Sequence, residues 1–257
     1  MDITDDHRAR AVHPAFPRAS AYDPVFQFET MMGPNVLWLA EWASRDLTLS
    51  PGMCVLDQGC GRAASSIFLA QEFGVSVWAA DLWIPPSENL VRIEAAGLAD
   101  RVFPIRAEAH ELPFAEGFFD LVVSFDAYHY FGTDDLYVGY LSRFLKPGGQ
   151  LCVVSPGVTE ELPCGPPDHL KPYWNWEFCS FHSPDWWRHH WAKTGKVEVM
   201  SAEWLTDGWR AWADWDALCA EVGAGHNPEG GVREAEMLRL DAGRALGFFK
   251  LIARRAG

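Results

Sequence analysis

The residues with the most chemistry in this 257-residue chain surround one glycine turn. In VLDQGCGRAASSIFLA, Gly59 and Gly61 separate an apolar run from a helical pattern. Glycines at such a junction let the chain turn sharply and let a ligand approach its backbone. The helix start behind them offers free N–H groups to a negative group. Asp57 immediately precedes the turn. A carboxylate there is poorly placed for a pyrophosphate and suits a ligand with a positive amino group. Asp81 lies about where a nucleotide-binding fold places its ribose carboxylate. Glu108, in AEAHELPF, can recognise an adenine edge.

These residues need a scaffold that brings strand ends together. Strands are expected over 53–57, 75–80, 101–105, 118–125 and 151–156, with helices over 65–73, 87–96 and 133–145 between them. Such alternation means parallel βαβ units and a sheet covered on both faces. From 157 the rhythm breaks, and five prolines make 157–185 mostly loop. A short helix over 185–193, a strand over 197–205, helices over 207–222 and 232–242, and a final strand over 246–255 follow. Ahead of the first strand, Asn35 opens a helical face from Val36 to Leu47, and residues 1 to about 20 read as a mobile arm.

Gly59-Cys60-Gly61-Arg62-Ala63-Ala64 fits GxGxxA, so a nicotinamide or flavin Rossmann domain competes with a methyltransferase. Asp57, Glu108 and the runs FDLVVSFDAYHYF (119–131) and FLKPGGQLCVVSP (144–156) separate the two. Together they resemble the class I S-adenosylmethionine (SAM)-dependent methyltransferases, small-molecule branch, with LDQGCG, a later LPF and LKPGG. The resemblance is close over 50–156 and looser from Tyr22 and to the end. It departs at Ala63, where the family usually has a third glycine.

The resemblance implies a doubly wound, seven-stranded, mostly parallel sheet with a Trp-rich lid insertion. It implies an N-terminal arm over 1–30, a methyltransferase domain over 31–257 and a lid over about 157–225. SAM would be the cofactor. Asp57, Gly59 and Gly61 would hold its methionine end and Asp81 its ribose. Leu82 and Trp83 would flank the adenine, and Glu108 or the backbone of Ala109 would meet its amino group. Asp126 would sit beside the sulfonium.

The acceptor should lie beyond the fourth strand, at Asp126-Ala127-Tyr128-His129-Tyr130. His129 is the natural general base there, because its ordinary pKa is near neutrality. Nine of the 13 Trp fall between 174 and 215. They form a lid core, or two or three of them line an apolar or aromatic acceptor site, where they could also cradle a cationic amine. Tyr22, Tyr128, Trp174, Trp176 and His182 are the expected pocket residues, and Phe26, Met31 and Met32 are expected to help close the site.

Thirty-five acidic residues against 21 Lys and Arg leave a formal charge of −14. That balance opposes nucleic-acid and anionic-membrane partners, which need clustered cations. A small-molecule acceptor is therefore expected. A cyclopropane-synthase-like lipid enzyme, a nicotinamide oxidoreductase and a non-catalytic SAM-binding protein are the alternatives. No secretory signal or membrane span is read in the sequence. The six cysteines are expected to be reduced in a cytoplasmic protein, and Cys164, Cys179, His169 and His182 match no zinc spacing, so no metal is expected.

Overall fold

The computed structural model describes residues 1–225 and 228–257. Seven strands form one sheet: β1 (Cys54–Gln58), β2 (Ser76–Asp81), β3 (Val102–Arg106), β4 (Phe119–Phe125), β5 (Leu145–Val158), β6 (Val197–Trp204) and β7 (Leu246–Arg255). Their spatial order is β3-β2-β1-β4-β5-β7-β6. The first five run parallel, and β7 is antiparallel to both β5 and β6. Strand order therefore reverses between β1 and β4. In open α/β sheets the crevice at the carboxyl ends of such a strand pair is where ligands bind.

The helices are α1 (Asp5–Arg10), α2 (Pro24–Glu29), α3 (Val36–Ser44), α4 (Ala64–Phe73), α5 (Pro86–Ala95), α6 (Tyr137–Ser142), α7 (Pro184–Ala192), α8 (Gly208–Val222) and α9 (Pro228–Asp241). The central strands β1, β4 and β5 are apolar on both faces, because each face meets helices. Val55, Val123 and Val154 enter one core with residues of α3, α4, α8 and α9. Their neighbours Leu56, Val122 and Val153 enter the other, with Tyr137 and Leu141 of α6 and Trp187 and Trp191 of α7.

Two expectations need correction. Residues 1–20 are packed, not mobile. Thr4 caps α1, and Ala11, Phe16 and Ala19 are buried. Arg10 grips Glu221 of α8 with two hydrogen bonds of 2.6 and 2.9 Å, and the Ala19 N–H donates to buried Glu41 of α3. Charge alternation hid the three apolar anchors. The helix expected over 133–145 begins only at Tyr137, because Asp134 accepts the Leu136 N–H in a local turn.

Candidate active site

The turn after β1 is built almost wholly from backbone. The N–H groups of Gly59 and Cys60 donate to Ala80 O at 2.8 and 3.1 Å, which clamps the turn onto β2. Gly59 and Gly61 have φ of +74° and +52°. A Cβ at Gly59 would overlap Ala127, and one at Gly61 would lie 2.8 Å from Met32 Sδ. Gly59 is thus required twice, for conformation and for space, and Gly61 for its conformation. Ala63, the residue before α4, has φ +62°. An L-residue there carries strain on the order of 1–2 kcal/mol, which is the physical reason a glycine is at home at this position.

A cavity of about 330 Å³ opens over this turn. Gly59, Gly61, Asp81, Leu82, Trp83, Glu108, Ala109 and Asp126 all line it. Asp81 is buried, and its Oδ2 accepts the Gly61 N–H at 2.8 Å. Its Oδ1 takes the N–H groups of Trp83 and Ile84 at 2.7 and 2.9 Å. The carboxylate therefore ties the glycine turn to the segment after β2 and keeps acceptor capacity on Oδ2 for a ligand hydroxyl. Trp83 stands at the mouth, edge-on to Tyr130 at 5.8 Å. Glu108 accepts from the backbone N–H and ring Nδ1 of His110. Burial pushes its carboxyl up, but these bonds outweigh it and hold it below the usual range.

Asp57 is corrected. It does not line the cavity. It is fully buried beneath the turn, and its Oδ2 accepts hydroxyl hydrogen bonds from Ser65 and Ser66 of α4, both at 2.6 Å. Burial raises its pKa to about 6 despite those bonds. It joins β1 to α4 through Oδ2, while its Oδ1 meets no hydrogen-bond donor among the described residues. Gln27 of α2, with Thr30 and Asn35 of the α2–α3 connection, adds a polar wall to the cavity. Met31 and Met32 also line it, as expected.

A second cavity, about 490 Å³, adjoins the first. Met32, Gly33, Pro34, Asp126 and Tyr130 line both. Asp126, with φ +55°, stands at the junction, and burial together with nearby Glu234 holds its carboxyl well above the ordinary range. The far wall carries Tyr173, Trp174, Phe178, Phe181 and Trp212.

His129 lines this cavity but is a poor base. Its Nδ1 pairs with Ser155 Oγ at 2.9 Å, and burial lowers its pKa to about 3. Of the expected pocket residues only Trp174 lines the cavity. Tyr128 is fully buried among Tyr137, Trp187 and Trp191. Tyr22 packs on Phe26 and Phe68 and donates to Glu72. Trp176 is 78% exposed, and His182 stacks on Trp186 and pairs with Glu161. Within 157–225 the cavity is covered by the loop through Tyr173 to Phe181 and by Trp212 of α8. Trp187 and Trp191 are core, while buried Trp215 lines the first cavity and donates to Gly33 O at 3.2 Å.

Two acidic residues escaped the sequence reading. Glu234 of α9 lines the second cavity, and burial raises its pKa to about 7. Asp216 of α8 is 1% exposed, and its pKa is raised by burial and by Glu234 and Asp126. The helical pattern could have located both. Asp216 is four residues from Trp212 and three from Cys219, and Glu234 is three from Met237, so each shares a buried helix face.

Among the described residues, no three His, Cys, Asp or Glu are arranged to hold a metal, and no helix is long and apolar enough to cross a membrane. His169 pairs with Asp241, away from exposed Cys164 and Cys179.

Known proteins agree with this geometry. Residues 55–149 match the family model described as a methyltransferase domain. The 2-methyl-6-phytyl-1,4-hydroquinone methyltransferase of Synechocystis is 28% identical over 72% of this chain. The match spans 60% of that relative's own length, less than two thirds. Phosphoethanolamine N-methyltransferase 2 of Haemonchus contortus, solved with SAM, is 19% identical with a TM-score of 0.74, covering 100% of this chain and 61% of its own. Geranyl diphosphate C-methyltransferase from Streptomyces coelicolor A3(2) is 18% identical with a TM-score of 0.65, covering 85% and 78%. At such identities the two structures share the fold alone. A cradle made by two glycines of positive φ, with a carboxylate at the end of β2, fits S-adenosylmethionine. Residues 55–149 are thus similar to a methyltransferase domain, and the sheet is that of solved methyltransferases that bind S-adenosylmethionine.

Proposed function

We propose that this chain transfers the methyl group of SAM, held in the first cavity, to a small apolar or aromatic molecule held in the second. The observation that carries this reading is that the two cavities meet at Gly33, Asp126 and Tyr130. Bound SAM supplies an activated methyl on a sulfonium. The protein's part is alignment, which can lower the barrier by on the order of 7–11 kcal/mol.

In this reading Gly59 and Gly61 admit the methionine end close to backbone, and Asp81 accepts a ribose hydroxyl. Leu82 and Trp83 flank the adenine, and Glu108 or the backbone of Ala109 meets its amino group. Asp126 faces the sulfonium. Trp174, Phe178, Phe181 and Trp212 exclude water from the acceptor and bind its apolar body. His129, neutral and tied to Ser155, shapes the pocket. Residues 157–225 act as lid only through their Tyr173–Phe181 stretch. The relative named for a phytylated hydroquinone supports an apolar, aromatic acceptor. The net charge of −14 supports a free metabolite over a nucleic acid or an anionic membrane, and six unpaired cysteines support the cytoplasm.

The test is incubation of the purified chain with methyl-labelled SAM and a small-molecule cell extract. The expected result is one or a few labelled metabolites. Cofactor binding with no labelled metabolite from any extract would leave only a SAM-binding protein.

A further inference from the structure

The loop after β3, residues 107–112, brings Glu108 and Ala109 to the first cavity and is held along its length. At its start, the Ala107 N–H donates to Asp81 O at 3.0 Å. Its middle and end are held by two tyrosines of α6, three residues apart and so on one helix face. Tyr137 donates its hydroxyl to Ala109 O at 3.1 Å, and Tyr140 Oη accepts the Leu112 N–H at 2.7 Å. Neither tyrosine is among the described residues that line the two cavities. Tyr137 is fully buried, and Gln58 Nε2, at the end of β1, donates to the same hydroxyl. The direction of this chain of bonds is fixed. A carbonyl oxygen only accepts, so the Tyr137 proton goes to Ala109 O and the Gln58 amide must donate to the tyrosine. Burial pushes the Tyr137 hydroxyl up, which keeps its proton in place. The Ala109–His110 peptide is therefore gripped at both ends. Its C=O accepts from Tyr137, and its N–H donates to Glu108 Oε2 at 2.7 Å. A peptide group is planar, so the two ends turn as one unit. The His110 ring lies edge-on to Tyr137 at 4.9 Å, and its Nδ1 meets Glu108 Oε1 at 3.0 Å.

We propose that Tyr137 is a positioning residue for the cofactor's base: through the Ala109–His110 peptide it holds the Glu108 carboxylate where that group accepts from the adenine amino group and rejects a base with a carbonyl in its place. This inference rests on the methyl-transfer reading above, which puts the adenine against Glu108 or the backbone of Ala109. A carboxylate only accepts hydrogen bonds, so an amino group satisfies it and a carbonyl oxygen repels it. The sharpness of that choice depends on how firmly the carboxylate is held. The Glu108 side chain is 43% exposed, and without its grip it can swing into water. Tyr137 acts on it from the buried side, through a peptide group that neither end can turn alone. Because Gln58 ends β1 at the glycine turn, the same hydroxyl also ties that turn to the adenine loop. Tyr140 holds the loop farther along, at Leu112, beyond the peptide that faces Glu108.

Calorimetry on the full chain with S-adenosylhomocysteine and S-inosylhomocysteine tests the proposal. The two differ only in the amino group of the base, which the second replaces by a carbonyl. The readout is the ratio of their dissociation constants, which a general loosening of the fold would not move. The wild type should prefer the adenine compound by about tenfold or more, as expected for a hydrogen bond to a charged group. Glu108→Ala should abolish the preference. Tyr137→Phe should cut it by about threefold or more, and should change nothing further when added to Glu108→Ala. The paired variant Gln58→Met with Tyr137→Phe removes both buried polar partners together, which protects the fold, and should show the same cut. A wild-type ratio in both Tyr137 variants overturns the role of Tyr137 and leaves methyl transfer standing. No preference in the wild type, or one untouched by Glu108→Ala, means Glu108 does not read the base and overturns this inference alone. Failure of the wild type to bind either compound overturns the methyl-transfer reading, and this inference with it.

Discussion

The two cavities that meet at Asp126 are made of different material. The first has a floor made of backbone. Its glycine turn, its clamp to Ala80 and the triple hydrogen bonding of Asp81 are complete without a ligand. The second is made of side chains from the loop after β5 and from α8 and α9. A backbone site is preorganised and can hold one cofactor through large changes elsewhere. A side-chain site can be rebuilt for another acceptor without disturbing the first.

The sharpest way to break this comparison is to place a side chain in the backbone cradle. Gly59→Val meets Ala127 at a positive φ. It should weaken SAM binding by at least about a hundredfold, some 3 kcal/mol, in calorimetry. Asp81→Ala removes the acceptor of three backbone N–H groups and, in the proposed reading, of the ribose. Its expected loss is about ten- to a hundredfold in cofactor affinity, from charged hydrogen bonds worth about 1.5–3 kcal/mol. An affinity unchanged by Asp81→Ala would mean the cradle does not hold the ribose.

The second cavity should reveal itself through pH. Glu234 has a folded pKa of about 7, above its ordinary value of 4.5. Between those values the folded chain binds more protons than the unfolded one, so stability is full below pH 4.5 and declines as pH rises through 7. Without acceptor, the melting temperature should fall between pH 5 and 8, and Glu234→Gln should flatten that fall. A smaller effect is expected from Trp174→Ala. It should raise the acceptor KM several-fold and leave cofactor affinity alone. Trp176→Ala, at a residue 78% exposed and outside both cavities, should change stability by no more than about 0.5 kcal/mol and leave both affinities intact.

The same contrast explains what the sequence made legible. Backbone sites impose residue types at fixed spacings, so Gly59, Gly61 and Asp81 stood out, and all seven strands were expected close to their observed places. Asp57 shows how position can mislead. It suggested a ligand with an amino group, and the family followed, yet its carboxylate serves Ser65 and Ser66. The second cavity was mostly illegible because its walls come from elements far apart in the chain. Trp174 and Trp212 line it, while Trp187 and Trp191 of the same Trp-rich stretch are core, and composition cannot sort them. Glu234 and Asp216 were legible only as charges on buried helix faces. His129 was chosen for its ordinary pKa, which burial removes.

The central claim is that a backbone cradle holds the cofactor independently of the acceptor cavity. Calorimetric titration of the demethylated cofactor into the wild type, Gly59→Val and Glu234→Gln tests it most directly. One site of equal affinity in the wild type and Glu234→Gln, and none in Gly59→Val, is the predicted result. Undiminished binding by Gly59→Val, or no binding by the wild type, would contradict it.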